Sequence, residues 1–106
     1  MISHPVKVYW CDAQSGGRAS LPAVNQYITI SRFPDDEDSW PDGAWSIVAN
    51  FDSPPAEQGS PSVGRAHFLV EAAPSERLRP GAIFTPHEGL REVATVHVVS
   101  ESQSSA

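Results

Sequence analysis

Lysine is nearly missing from this sequence: Lys7 is the only one, beside six arginines. Those seven cations face thirteen Asp and Glu, and the net charge is −6 at pH 7. Such a field repels phosphate backbones on average, which argues against nonspecific nucleic-acid binding. One cysteine, Cys11, leaves no intramolecular disulfide to form, so nothing asks for an oxidising compartment. Residues 1–5 lack the basic start and apolar run of a secretory signal, and no apolar stretch approaches the ~18 residues needed to cross a bilayer. The expectation is a cytoplasmic protein without membrane insertion. There is no Gly-x-x-x-x-Gly-Lys-Ser/Thr loop for GTP and no Gly-x-Ser-x-Gly nucleophile elbow. Helical spacing of apolar residues is absent too, and ten prolines interrupt every candidate, so helix content is expected to be near nil.

What the sequence does hold is short runs of alternating or β-branched apolar residues, at 6–10, 26–30, 44–51, 66–71, 82–85 and 93–99. Turn formers separate them, among them Ser15-Gly16-Gly17, Pro41-Asp42-Gly43, Gly59-Ser60-Pro61, Pro80-Gly81 and Glu88-Gly89. Six short strands with regular turns leave a sandwich or a closed barrel, and closure removes the exposed edges that short strands otherwise present. The pattern therefore predicts an all-β chain folded as a closed six-stranded antiparallel Greek-key-like barrel. The last run places Ala94, Val96 and Val98 on one face and Val93, Thr95, His97 and Val99 on the other. Residues 1–99 read as a single β-barrel domain, and 100–106, with little apolar content, as a disordered C-terminal tail.

Two stretches go beyond generic β patterning. The first is Val6-Lys7-Val8-Tyr9-Trp10, then Ser15-Gly16-Gly17-Arg18, Pro22 and Gln26-Tyr27-Ile28-Thr29-Ile30. The second runs through Ala66-His67-Phe68-Leu69-Val70-Glu71-Ala72-Ala73-Pro74, Leu78-Arg79-Pro80-Gly81-Ala82-Ile83-Phe84 and His87-Glu88-Gly89-Leu90-Arg91-Glu92-Val93-Ala94-Thr95-Val96. In order and spacing these resemble the strands, Gly-Gly-Arg loop and Glu-Gly-x-Arg turn of the C-terminal (third) β-barrel domain of translation elongation factor Tu, here as a stand-alone domain. Residues 34–64 lie outside the likeness. The resemblance implies a barrel that carries no chemistry of its own and supplies surface for aminoacyl-tRNA and for a nucleotide-exchange partner. Arg18, Glu88, Gly89 and Arg91 match the family's surface motifs and are the partner-binding candidates it implies.

The residues themselves add Trp40, an aromatic beside the acidic run Asp35-Asp36-Glu37-Asp38 and well suited to anchor an interface, with the alternative that it only staples its loop to the barrel. That run fails as a calcium loop, because the glycine comes too late and no bidentate glutamate follows. Trp45, at the head of the run 44–51, reads as a core residue. His4, His67, His87 and His97 form no short-range zinc pair, and His67 and His97 could meet only on neighbouring strands. Cys11, next to Trp10 at a strand end, reads as a small buried thiol rather than a nucleophile. No metal site and no cofactor are expected. The favoured function is a non-catalytic binding module for a protein partner, with homodimerisation open. The alternatives are a translation-related tRNA- or RNA-binding domain, disfavoured by the net charge, and a small metal-binding or enzymatic protein using His67 and His97.

Overall fold

The computed structural model describes residues 3–34, 44–89 and 91–100. The acidic run, Trp40 and residues 101–106 of the expected tail lie outside the described residues. Seven strands follow one another as β1 (His4–Trp10), β2 (Gln26–Arg32), β3 (Trp45–Phe51), β4 (Ser62–Phe68), β5 (Ile83–Glu88), β6 (Arg91–Glu92) and β7 (Ala94–Val98). They pair antiparallel in the order β2-β3-β4-β1-β7-β5-β6, and β5 also pairs with β2. Six strands thus close a barrel, with β6 as an extra strand on β5. Strand β1 lies beside β4 but reaches β2 only through residues 11–25, so β1-β4-β3-β2 is a Greek key.

Alternation builds the interior. Val6, Val8 and Trp10 of β1, Tyr27, Thr29 and Ser31 of β2, Ile47, Ala49 and Phe51 of β3, and Val96 of β7 all face the lumen. Val6, Val98 and Phe84 are essentially solvent-free, and each such side chain stabilises the fold by about 1.5–3 kcal/mol relative to exposure. The space they leave is about 10 Å³, the scale of one water molecule. The lumen is packing, not a chamber for a ligand.

The seam that closes the barrel is short, with Ile30 opposite His87, Ser31 opposite Pro86 and Arg32 opposite Thr85. Pro86 has no N–H for a ladder, and β5 changes partner around it, pairing with β7 through Ile83 and Phe84 and with β6 through His87 and Glu88. At the end of the barrel where β1 begins, Phe33 stacks on Phe84 with ring centroids 4.7 Å apart and lies 5.6 Å from Phe68. Those three rings close that end with apolar surface.

The structure corrects two details of the pattern. The late strand expected at 66–71 is β4, which starts at Ser62 and stops at Phe68, while Leu69 and Val70 leave the sheet exposed. The expected near-absence of helix gives way, among the described residues, to a one-turn helix α1 (Pro55–Gln58) and short 3-10 turns that include Ala13–Ser15 and Ser75–Arg77. Pro55 pre-sets the first helical φ, and the Ala56 N–H donates to Pro22 O at 2.9 Å, which ties α1 to the β1–β2 connection. No helix among the described residues is long and apolar enough to cross a membrane.

Candidate functional site

At the opposite end of the barrel, polar groups do the closing. Glu88 is the last residue of β5 and the only Asp or Glu in the six barrel strands. It lies on the same strand face as Phe84 and Pro86, and so points toward the barrel mouth beside Tyr27. One carboxylate oxygen, Oε2, accepts hydrogen bonds from the Tyr27 hydroxyl and from Nη1 of Arg18. The other, Oε1, accepts from Nη2 of Arg91 at 3.2 Å. The Arg18 guanidinium also sits 5.6 Å from the centroid of the Tyr27 ring, close enough for a cation–π contact.

Local sequence explains how residues this far apart converge. Gly17 follows a 3-10 turn and its N–H donates to Asp12 O at 2.9 Å. A Cβ at Gly17 would stand 2.1 Å from Cys11 O, so only glycine lets the chain fold back on the end of β1 and deliver Arg18 to the mouth. Arg18 is then fixed from its other side, with Nε donating to Ser20 O at 2.9 Å. Gly89, at φ +65°, makes the tight reversal between β5 and β6 that brings Arg91 back over Glu88.

Trp10 supports the cluster from within. Its ring meets Tyr27 edge-on at 5.5 Å, and Nε1 donates to Ser62 Oγ at 2.9 Å. Ser62 in turn donates to Gly59 O at 2.6 Å. The Tyr27 ring is therefore held between Trp10 and Arg18, with its hydroxyl aimed at Glu88.

Electrostatics follows from this geometry. Burial works to raise the Glu88 carboxyl, yet the hydrogen bonds from Tyr27 and Arg18, with the Arg18 charge, outweigh it and hold the carboxyl below its ordinary range. Burial pushes the Tyr27 phenol up, and the neighbouring carboxylate adds to it, to about 12. Burial opposes the Arg18 charge, and Glu88 more than compensates. A carboxylate locked ionised and a phenol locked neutral exchange no proton near pH 7, so the cluster acts as an electrostatic clasp. Its outward element is Arg91, whose side chain is 53% exposed against 28% for Arg18 and 29% for Glu88.

Of the partner-binding candidates, Arg18, Glu88, Gly89 and Arg91 come together at this mouth, whereas Trp40 lies outside the described residues. Tyr27 and Trp10 are the members that sequence reasoning missed as site residues. Trp45 is partly buried and packs against the core. His67 and His97 do not meet, because β1 stands between β4 and β7. Among the described residues no group of three or more His, Cys, Asp and Glu is placed to hold a metal. Cys11 is half-buried, and burial, then Glu92 and Asp12, push its thiol up, away from the reactive thiolate. No family model matches this chain, and no curated protein matches it.

Proposed function

We propose that this chain is a non-catalytic binding module, a barrel of the elongation factor Tu third-domain kind, that engages a protein partner through the mouth formed by the Gly16-Gly17-Arg18 loop and the Glu88–Arg91 turn. The observation that carries the reading is the convergence of Arg18, Tyr27 and Arg91 on one carboxylate. This ties Arg91 to the mouth and leaves its half-exposed guanidinium with further donors facing outward. Pre-ordered arginines of this kind are common interface anchors, because little side-chain entropy remains to be lost on docking. The filled lumen supports the same reading, since an internal ligand would have no room.

A protein is favoured over tRNA because Glu88 offsets part of the charge of the two arginines at this mouth and the chain is acidic overall. The test is affinity capture from cell extract with wild type, Arg91→Ala and Trp40→Ala, with bound proteins and bound RNA both identified. The expected outcome is a protein held by wild type and lost with Arg91→Ala. Capture of tRNA at low salt, or a set of proteins unchanged by Arg91→Ala, overturns the reading.

A further inference from the structure

The charges of this protein are segregated in a way its net charge hides. Of thirteen Asp and Glu, only Glu88 lies in the six barrel strands, and it is tied up at the mouth. Three of the seven cations, Lys7, Arg32 and Arg65, lie in those strands, where alternation turns them outward. The barrel wall is thus cationic on a protein whose connections carry the negative charge.

Part of that wall is also apolar. Val63 of β4 stands opposite Lys7 of β1, Lys7 opposite His97 of β7, and His97 opposite Ile83 of β5, forming one row across four strands. Val63 and Ile83 are 41% and 44% exposed. Tyr9, 42% exposed, packs edge-on to His97 at 5.1 Å beside the row. Past Val63, on the side away from Lys7, the chain leaving β3 presents Asp52, and Asp52 and Val63 share the lining of one surface depression of about 260 Å³. Cation, apolar residue and anion therefore follow in order, Lys7, Val63, Asp52. Among the described residues neither the Lys7 ammonium nor the Asp52 carboxylate has an ion-pair partner.

This order is self-complementary. A two-fold axis along β4 at Val63 sets Val63 against its own copy and each Lys7 against the Asp52 of the other chain, which is how an isologous dimer reads its own surface. It also brings the outward Arg65 of β4 near its own copy, a like-charge contact that weakens the pair. We propose that the wall around Val63, with Lys7, Tyr9 and Asp52, is a self-association surface that takes a second copy of this chain through reciprocal Lys7–Asp52 pairs. The patch is small, so the dimer belongs to the weak, transient class and depends on salt. The proposal is independent of the function assigned to the barrel mouth.

The experiment is sedimentation velocity on the full chain over a concentration series reaching ~1 mM, at ~50 mM and ~500 mM salt. Wild type is expected to shift from one chain to two as concentration rises at low salt, and to return to one chain at high salt. Lys7→Asp and Asp52→Lys, each alone, are expected to weaken association by roughly tenfold or more, because like charges then face each other twice. An equimolar mixture of the two variants is expected to restore the dimer, since each supplies the charge the other lacks. That recovery separates a lost interface from a lost fold. A chain that stays single throughout, or association that neither substitution changes, or a mixture that fails to recover, overturns the proposal. Binding of a single-stranded uridine 12-mer to this wall by a chain that does not self-associate overturns it as well, and assigns the wall to nucleic acid.

Discussion

The two ends of the barrel are closed by opposite chemistry. Where β1 begins, Phe33, Phe68 and Phe84 stack into a plug, with the Arg77 guanidinium 5.6 Å from the Phe33 ring centre. Where β1 ends, Tyr27, Arg18 and Arg91 converge on Glu88 above Trp10. The apolar plug gains from every buried ring atom and tolerates small shifts, because dispersion and hydrophobic burial have little directionality. The polar plug gains only when donors and acceptor meet in register, and it loses heavily when one partner is removed. The first holds the barrel shut, and the second fixes one arrangement of its loops and carries charged groups to the surface. Function is expected at the second for that reason.

The largest expected effect lies at the apolar end. Phe84→Ala deletes a ring that is 2% exposed and stacked on Phe33, and it is expected to destabilise the fold by about 3–5 kcal/mol. Urea denaturation followed by tryptophan fluorescence reads this directly. The loss should be the same at pH 5 and pH 8, since nothing in the plug but Arg77 is charged. A marked pH dependence would blur the distinction between the two ends.

The apolar half was largely legible in the sequence as strands, because β1, β3 and β7 stand out as short alternating or β-branched runs. It failed where the alternation is broken. Gly64 and Arg65 hide the start of β4, while Leu69 and Val70 mimic its continuation. Phe33, next to a proline and outside every expected strand, is nonetheless a core residue. The polar end was legible only in pieces. Arg18 and the Glu88–Arg91 turn stood out by family likeness, but Tyr27 and Trp10 did not, because their roles depend on the register of β2 against β5 and on where β1 ends. The one local signal was the inward series Tyr27, Thr29 and Ser31, unusually polar for a lumen face.

A smaller effect is expected from Glu88→Gln. The substitution keeps the shape but removes the charge that Arg18 and Arg91 answer, and because the site is partly solvated the loss is expected to be about 1–2 kcal/mol. Glu88 in the fold lies below its ordinary value of 4.5. Its contribution is therefore complete above that value and fades as pH falls through the lowered native one. Chemical denaturation at pH 7 should separate wild type from Glu88→Gln, and the two should converge toward pH 2. A constant gap down to acid would mean the carboxylate contributes through packing alone, and the two barrel ends would then differ less than their composition suggests.

Tyr27→Phe tests the polar plug at its smallest unit, one hydroxyl. It removes a single donor to Glu88 Oε2 and keeps the ring between Trp10 and Arg18, so the expected loss is only about 0.5–1.5 kcal/mol. The sharper readout is alkaline. The phenol ionises at about 12 in the fold against 10.0 ordinarily, so the folded chain holds a proton that the unfolded chain releases. Stability from this group is present below pH 10 and is lost as pH rises toward 12. Absorbance of tyrosinate in wild type should therefore develop in part only near pH 12, together with unfolding, and Tyr27→Phe should lose that late component. If the late component persists in the variant, Tyr27 is not held by Glu88, and the clasp at the mouth rests on its two arginines alone.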